Sequence, residues 1–137
     1  MRIAITGGNG FIGKNVCNEL LKLGYYVNLV QRSVSSVSIP ESNLVRIFKI
    51  NNIGSYTEWF DSINDVECII HCAGQNNLKF KKNKLSIYRE VNVNGTINLL
   101  YEAVKRGVKR FIYLSTIKVN GEETKNQKSK KTPKKSD

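Results

Sequence analysis

Gly7, Gly10 and Gly13 carry the clearest chemical signal in this chain of 137 residues. They follow the spacing G-x-x-G-x-x-G between a short apolar run, Arg2 to Thr6, and a stretch with apolar residues at Ile12, Val16, Leu20 and Leu23. A strand that turns through glycines into a helix can cradle phosphate. One glycine serves the tight turn, another lets the backbone approach a pyrophosphate, and a third lets helix and strand pack closely. The N–H groups and partial positive charge of the helix N-terminus then face the anion. Taken alone the set also fits an ordinary strand-to-helix turn, but its place between the right elements favours the phosphate reading. Other reactive residues are few. The cysteines, Cys17, Cys68 and Cys72, are odd in number and never spaced C-x-x-C, and His71 is the single histidine. Neither a disulfide framework nor a metal site is expected, and a reducing cytoplasm is the expected location. Cys68 and Cys72 read as small core residues, and His71 as a structural histidine near the turn that follows its strand.

The elements around the glycines follow from periodicity. Arg2–Thr6 reads as a buried strand and Phe11–Leu23 as a helix, with Gly24 where a C-cap glycine belongs. Further strands are expected at Tyr25–Val30, Leu44–Ile50, Val66–Cys72 and Val108–Leu114. Helices are expected at Tyr56–Ile63 and at Leu85–Arg106, the latter ended by Gly107. Gln31 to Asn43, rich in serine and holding Pro40, reads as a loop, as do residues 75–84. Strands alternating with helices imply an α/β, doubly wound parallel sheet of the Rossmann type. The strand order expected is 3-2-1-4-5, that of a dinucleotide-binding sheet truncated after its fifth strand.

Composition agrees with an ordinary globular domain, at 40% hydrophobic and 24% charged residues. No stretch has the length of a membrane span, and the N-terminus lacks the pattern of a signal peptide. The net charge of +11 is uneven: Thr124 to Asp137 holds six lysines against one acid. That segment has no apolar periodicity and is expected to be a disordered tail after a domain at 1–123. Without interleaved aromatics it does not point to specific nucleic-acid binding.

The chain resembles the extended short-chain dehydrogenase/reductases, or NAD-dependent epimerase/dehydratase family. The resemblance rests on motifs in order: Thr6 to Gly13, His71-Cys72-Ala73-Gly74, Asn92-Val93-Asn94-Gly95-Thr96, Tyr113-Leu114-Ser115-Thr116, and Ile117 to Glu122. The last is similar to nucleotide-sugar epimerases and 4-ketoreductases. The resemblance implies that NAD(P) is held by Gly7, Gly10, Phe11, Ile12 and Gly13, by the Cys72-Ala73-Gly74 backbone, by Asn92, and by Ser115 beside the nicotinamide. Thr116 would be the catalytic hydroxyl, hydrogen-bonding a substrate oxygen during hydride transfer. Asn52 and Ile53 fall where the family often has Asp-Ile beside the adenine.

Two departures matter. At the end of the second strand the family usually places an acid for the ribose 2′-hydroxyl, and here stand Gln31 and Arg32. Arg32, with Ser33 and Ser35, suits a 2′-phosphate, which leans the cofactor toward NADP; a solvated loop arginine is the other reading. The family's acid/base pair, Y-x-x-x-K, is expected about two dozen residues after Thr116, past Asp137. The spacing Tyr101-x-x-x-Lys105 precedes the Ser/Thr strand and reads as a helix-surface feature. The chain therefore reads as the N-terminal part of a nucleotide-sugar epimerase, dehydratase or 4-ketoreductase, inactive alone. A nucleotide-sugar substrate and a homodimer are its expected partners, without specific nucleic acid or membrane. The alternative is a non-catalytic dinucleotide-binding sensor or interaction domain.

Overall fold

A computed structural model describes residues 1–32, 42–76 and 83–116. Ser33, Ser35, the segment 117–122 and the lysine-rich tail lie outside the described residues. The strands are β1 (Arg2–Thr6), β2 (Tyr26–Gln31), β3 (Val45–Lys49), β4 (Cys68–His71) and β5 (Arg110–Tyr113). They form one parallel sheet in the order β3-β2-β1-β4-β5, as expected. The register sets Ile3 opposite Val27 and Cys68, and Thr6 opposite Val30 and His71.

Side-chain alternation divides the core into two layers. On one face Ile3, Ile5, Val27, Leu29 and Cys68 pack with Cys17 of α1 (Phe11–Lys22). On the other, Ala4, Val30 and Ile69 meet Trp59, Ile63, Leu99 and Ala103. These come from α2 (Phe60–Ile63), the residue before it, and α4 (Gly95–Lys105). Because both faces are covered, β1 and β2 read as apolar runs rather than as alternating strands. The buried stripe of α1 is Gly13 and Cys17, flanked by Val16, Leu20 and Leu21. Ile12 and Leu23, expected in that stripe, are exposed. The helix closes as expected at Gly24, whose φ is +76°. Gly24 N–H donates to Leu21 O and Tyr25 N–H to Leu20 O, each at 3.0 Å, the pairing of a Schellman cap.

Two helices differ from expectation. The predicted helix at Tyr56–Ile63 is helical only over Phe60–Ile63. The Gly54 N–H donates to Thr57 Oγ1 at 2.8 Å, and Asn98 Nδ2 donates to the carbonyls of Gly54 and Thr57 at 3.1 and 2.9 Å. A hydroxyl and a distant amide thus take the backbone groups that a helix would use. The expected single helix at Leu85–Arg106 begins with α3 (Lys84–Tyr88) and widens to a π-helical stretch, Arg89–Asn94, before α4. The wide turn carries side chains bonded outside the helix. Glu90 accepts from Ser55 N–H at 2.6 Å, and the Asn92 amide holds both backbone groups of Gln75. Hydrophobic periodicity near 3.6 residues does not forecast such widening.

A hydrogen-bonded chain ties the sheet to this helical run through His71, which is 1% exposed. Thr96 Oγ1 donates to Asn92 O at 2.9 Å, so at 3.0 Å it accepts from His71 Nε2–H. That assigns Nδ1 as an acceptor, taking the Thr6 hydroxyl proton at 2.6 Å, while Thr6 Oγ1 accepts from Ala73 N–H at 3.2 Å. The imidazole is neutral: burial lowers its pKa from 6.5 to about 4. Between those values the unfolded chain binds a proton that the folded chain excludes. The stability held above pH 6.5 is therefore lost as pH falls toward 4, by up to about 3 kcal/mol. Urea unfolding at stepped pH is expected to show this slope in the parent and not in His71→Gln. Equal slopes from pH 6.5 to 4.5 would contradict it.

Among the described residues β5 pairs on one side only, with β4, and Ile112 and Tyr113 are 42% and 49% exposed. Open apolar edges template association. Sedimentation velocity is expected to show concentration-dependent association, reduced in Ile112→Lys. The same concentration dependence in that variant would rule out this edge.

Candidate functional site

A cleft of about 440 Å³ opens at the carboxyl ends of β1, β2, β3 and β4, within the usual size of small-molecule sites. Its floor is the glycine turn. Gly7 has φ +71°, and a Cβ there would sit 2.8 Å from the Ala73 backbone. Gly7 N–H donates to Val30 O at 3.1 Å, and Gly10 N–H donates back to Gly7 O at 2.9 Å. A Cβ on Gly13 would overlap the Gly7 carbonyl. These two positions lock strand, helix and the β4 turn together. Gly10 differs: it is exposed, and its Cβ would meet only Gly7 O, at 3.2 Å. The α1 N-terminus has no side-chain cap and no acid in its first turn. Its first N–H groups remain for an incoming anion.

The cleft gathers Gly7, Gly10, Phe11, Ile12, Gly13, Arg32, Asn52, Ile53, Cys72, Ala73 and Gly74 from the sequence reading. Phe11 and Ile12 are 88% and 52% exposed. Their place in the cleft wall accounts for apolar residues that the α1 core stripe leaves out. Asn92, Ser115 and Thr116 do not line the cleft. Asn92 instead fixes one wall, since Gln75 N–H donates to its Oδ1 at 2.7 Å and its Nδ2 donates to Gln75 O at 2.9 Å. Ser115 and Thr116 are exposed just beyond β5, on the same carboxyl edge of the sheet. Tyr101 and Lys105 lie outside the cleft on α4; Tyr101 is 67% exposed, and Lys105 Nζ pairs with Glu102 at 2.8 Å.

Sequence reasoning left out Gln31 as a contact residue. It ends β2, lines the cleft and is 2% exposed. Neither Oε1 nor Nε2 has a partner among the described residues. The signal was present as the departure from an acid at that strand end. Arg32 is the sole charged side chain among the described residues lining the cleft. Cys72 also lines it, with its thiol pKa pushed up by burial, away from nucleophilic or ligating use. The site therefore offers backbone N–H groups, neutral amides and one cation, which suits a ligand with anionic phosphates and an apolar ring.

The NAD dependent epimerase/dehydratase family matches residues 3–136. A UDP-glucose 4-epimerase of Vibrio cholerae is 36% identical over 124 residues, which is 89% of this chain and 37% of that protein. The crystal structure of a UDP-galactose 4-epimerase aligns with TM-score 0.72 at 26% identity, covering 88% of this chain and 40% of that one. A structure described as an NAD-dependent NDP-hexosamine 5,6-dehydratase aligns with TM-score 0.70 at 26% identity, covering 88% and 39%. The chain thus spans about two-fifths of these relatives' length, and among its described residues no helix is long and apolar enough to cross a membrane. With its motifs, sheet order and cleft in agreement, the chain belongs to the NAD-dependent epimerase/dehydratase family.

Proposed function

We propose that the cleft binds NAD(H) or NADP(H), and that the chain is the cofactor-binding portion of a nucleotide-sugar epimerase, dehydratase or 4-ketoreductase. The observation that carries this reading is the glycine floor: Gly7 and Gly13 interlock, and Gly10 leaves open backbone beside an uncapped helix N-terminus. Gly10, Phe11, Ile12 and Gly13 at the first turn of α1 would hold the pyrophosphate, Asn52 and Ile53 the adenine, and Cys72, Ala73, Gly74 and Ser115 the nicotinamide half. When bound, the cofactor supplies the hydride acceptor or donor. Thr116 holds the substrate oxygen through its hydroxyl. Asn92 supports the cleft wall by holding both backbone groups of Gln75. The sugar-nucleotide class is drawn from the epimerase and dehydratase relatives, and the NADP lean from Arg32 on the cleft rim.

Gly10→Val tests the pyrophosphate site with little strain on the fold, since its side chain projects from an exposed position. Calorimetry is expected to show loss of cofactor binding with the melting temperature nearly unchanged. Parental affinity in Gly10→Val would show the site to be misplaced. The 137 residues alone are expected to give no turnover with either cofactor and a panel of UDP- and dTDP-sugars. They hold no Y-x-x-x-K after Thr116, and a positioned proton-transfer group typically contributes ~10²–10⁴ in rate. Robust turnover would refute that assignment of roles.

A further inference from the structure

We infer that Glu90 is a positioning residue for the cofactor cleft: from the helical run it pins the loop at residues 51–57, whose Asn52 and Ile53 form the adenine end. The inference rests on the cofactor reading of the cleft and extends it to a residue that does not line it. Asn52 and Ile53 line both that cleft and a second cavity of about 620 Å³, which Glu90, Phe48 and Tyr56 also line. A loop shared between two cavities has few packed neighbours to place it, so its hydrogen bonds carry more of that task. Ile53 does reach the core, and the helical run comes close to it, since a Cβ on Gly95 would overlap Ile53. Asn52 is exposed and follows wherever the loop is held.

The bonds of this loop fall into two sets. Thr57 Oγ1 accepts from Gly54 N–H and donates to Asn52 O, each at 2.8 Å. These bonds set the shape of the turn and leave its place in the fold open. The second set comes from the helical run. Glu90 accepts from Ser55 N–H at 2.6 Å and from the Ser55 hydroxyl at 2.8 and 3.0 Å, while Asn94 Nδ2 donates to its other oxygen at 2.7 Å. Asn98 Nδ2 adds bonds to the Gly54 and Thr57 carbonyls. The Ser55 N–H holds the Glu90 carboxyl below the usual carboxylate range, so at neutral pH the pin is an ion and its bonds are charge-assisted. Glu90 and Asn92, both in the π-helical stretch, thus hold two parts of the cleft wall, the loop and Gln75. The sign of the effect separates this role from simple electrostatics. As a charge alone Glu90 would oppose a phosphate-bearing ligand, and its removal would tighten binding. As a pin, its removal loosens the adenine end and weakens binding.

Amide chemical-shift titrations of the 137-residue chain with NAD, adenosine diphosphate and nicotinamide mononucleotide test the assignment in the parent, Glu90→Ala, Glu90→Gln and Ser55→Ala. Glu90→Ala is expected to weaken NAD and adenosine diphosphate by about tenfold each and to leave nicotinamide mononucleotide within about twofold. Glu90→Gln keeps an acceptor for the Ser55 N–H and is expected to bring NAD back to within about threefold of the parent. Ser55→Ala, at an exposed position, removes the hydroxyl bonds and keeps the N–H bond; it is expected to weaken the two adenine ligands by about threefold. Equal weakening of all three ligands in Glu90→Ala, parental or tighter adenine binding in it, or no recovery in Glu90→Gln overturns the assignment. Far-UV circular dichroism identifies a misfolded Glu90→Ala. In that case Ser55→Ala decides, its adenine-selective loss supporting the assignment and its parental affinities overturning it. Failure of the folded parent to bind NAD refutes the cofactor reading itself, whereas parental NAD binding with unresponsive variants refutes only the role of Glu90.

Discussion

The structure depends on a contact that no side chain may enter. The first turn of α1 lies so close to the end of β1 that a methyl group on Gly13 would occupy the space of the Gly7 carbonyl. One on Gly7 would press into the Ala73 backbone at 2.8 Å. This approach brings the helix N-terminus, the β1 turn and the β4 turn to one point. It leaves backbone at the cleft floor, where hydrogen-bond donors are fixed by the fold and need no side-chain ordering. Every other feature of the cleft is arranged around it. Substitution at Gly7 or Gly13 would therefore harm fold and site together, while Gly10 separates the two.

The second constraint is polar. Thr6 on β1, His71 on β4, and Thr96 and Asn92 on the helical run form one directed chain of hydrogen bonds, from the Ala73 N–H to the Asn92 carbonyl. Thr6 and His71 are buried and Thr96 and Asn92 half-buried, and a missing partner is most expensive at the buried end. The chain closes over the cleft wall, because the Asn92 side chain grips Gln75. The π-helical widening places Glu90, Val91 and Asn92 so that they meet Ser55, the cleft and Gln75 respectively.

Much of this was legible in the residues. The strand order followed from strands alternating with helices. The cleft members followed from the glycine spacing and from matching segments after β1, β3 and β4, because backbone turns leave a mark in residue type. What escaped depends on contacts distant in sequence. The shortened α2 reflects Asn98 bonding to Gly54 and Thr57, and no local propensity reports that. Ile12 has helical spacing with Val16 and Leu20, yet it faces the cleft, since periodicity shows that a residue is apolar and not which surface it meets. The hold of Asn92 on the Gln75 backbone was likewise not legible, because residue type does not report a bond across 17 positions. The His71 reading as structural agrees with its burial and its neutral, fully used ring.

The electrostatics favour a phosphate-bearing ligand over a neutral one. Arg32 is the only charged side chain on the described lining, and the helix N-terminus adds its partial positive charge. The most direct measurement of the central claim is an amide chemical-shift titration of ¹⁵N-labelled chain with NAD. The account predicts saturable shifts at Gly7, Gly10, Gly13, Gln31 and Ala73, with Tyr101 and Lys105 unmoved. Shifts confined to α4, or none at millimolar cofactor, would contradict it.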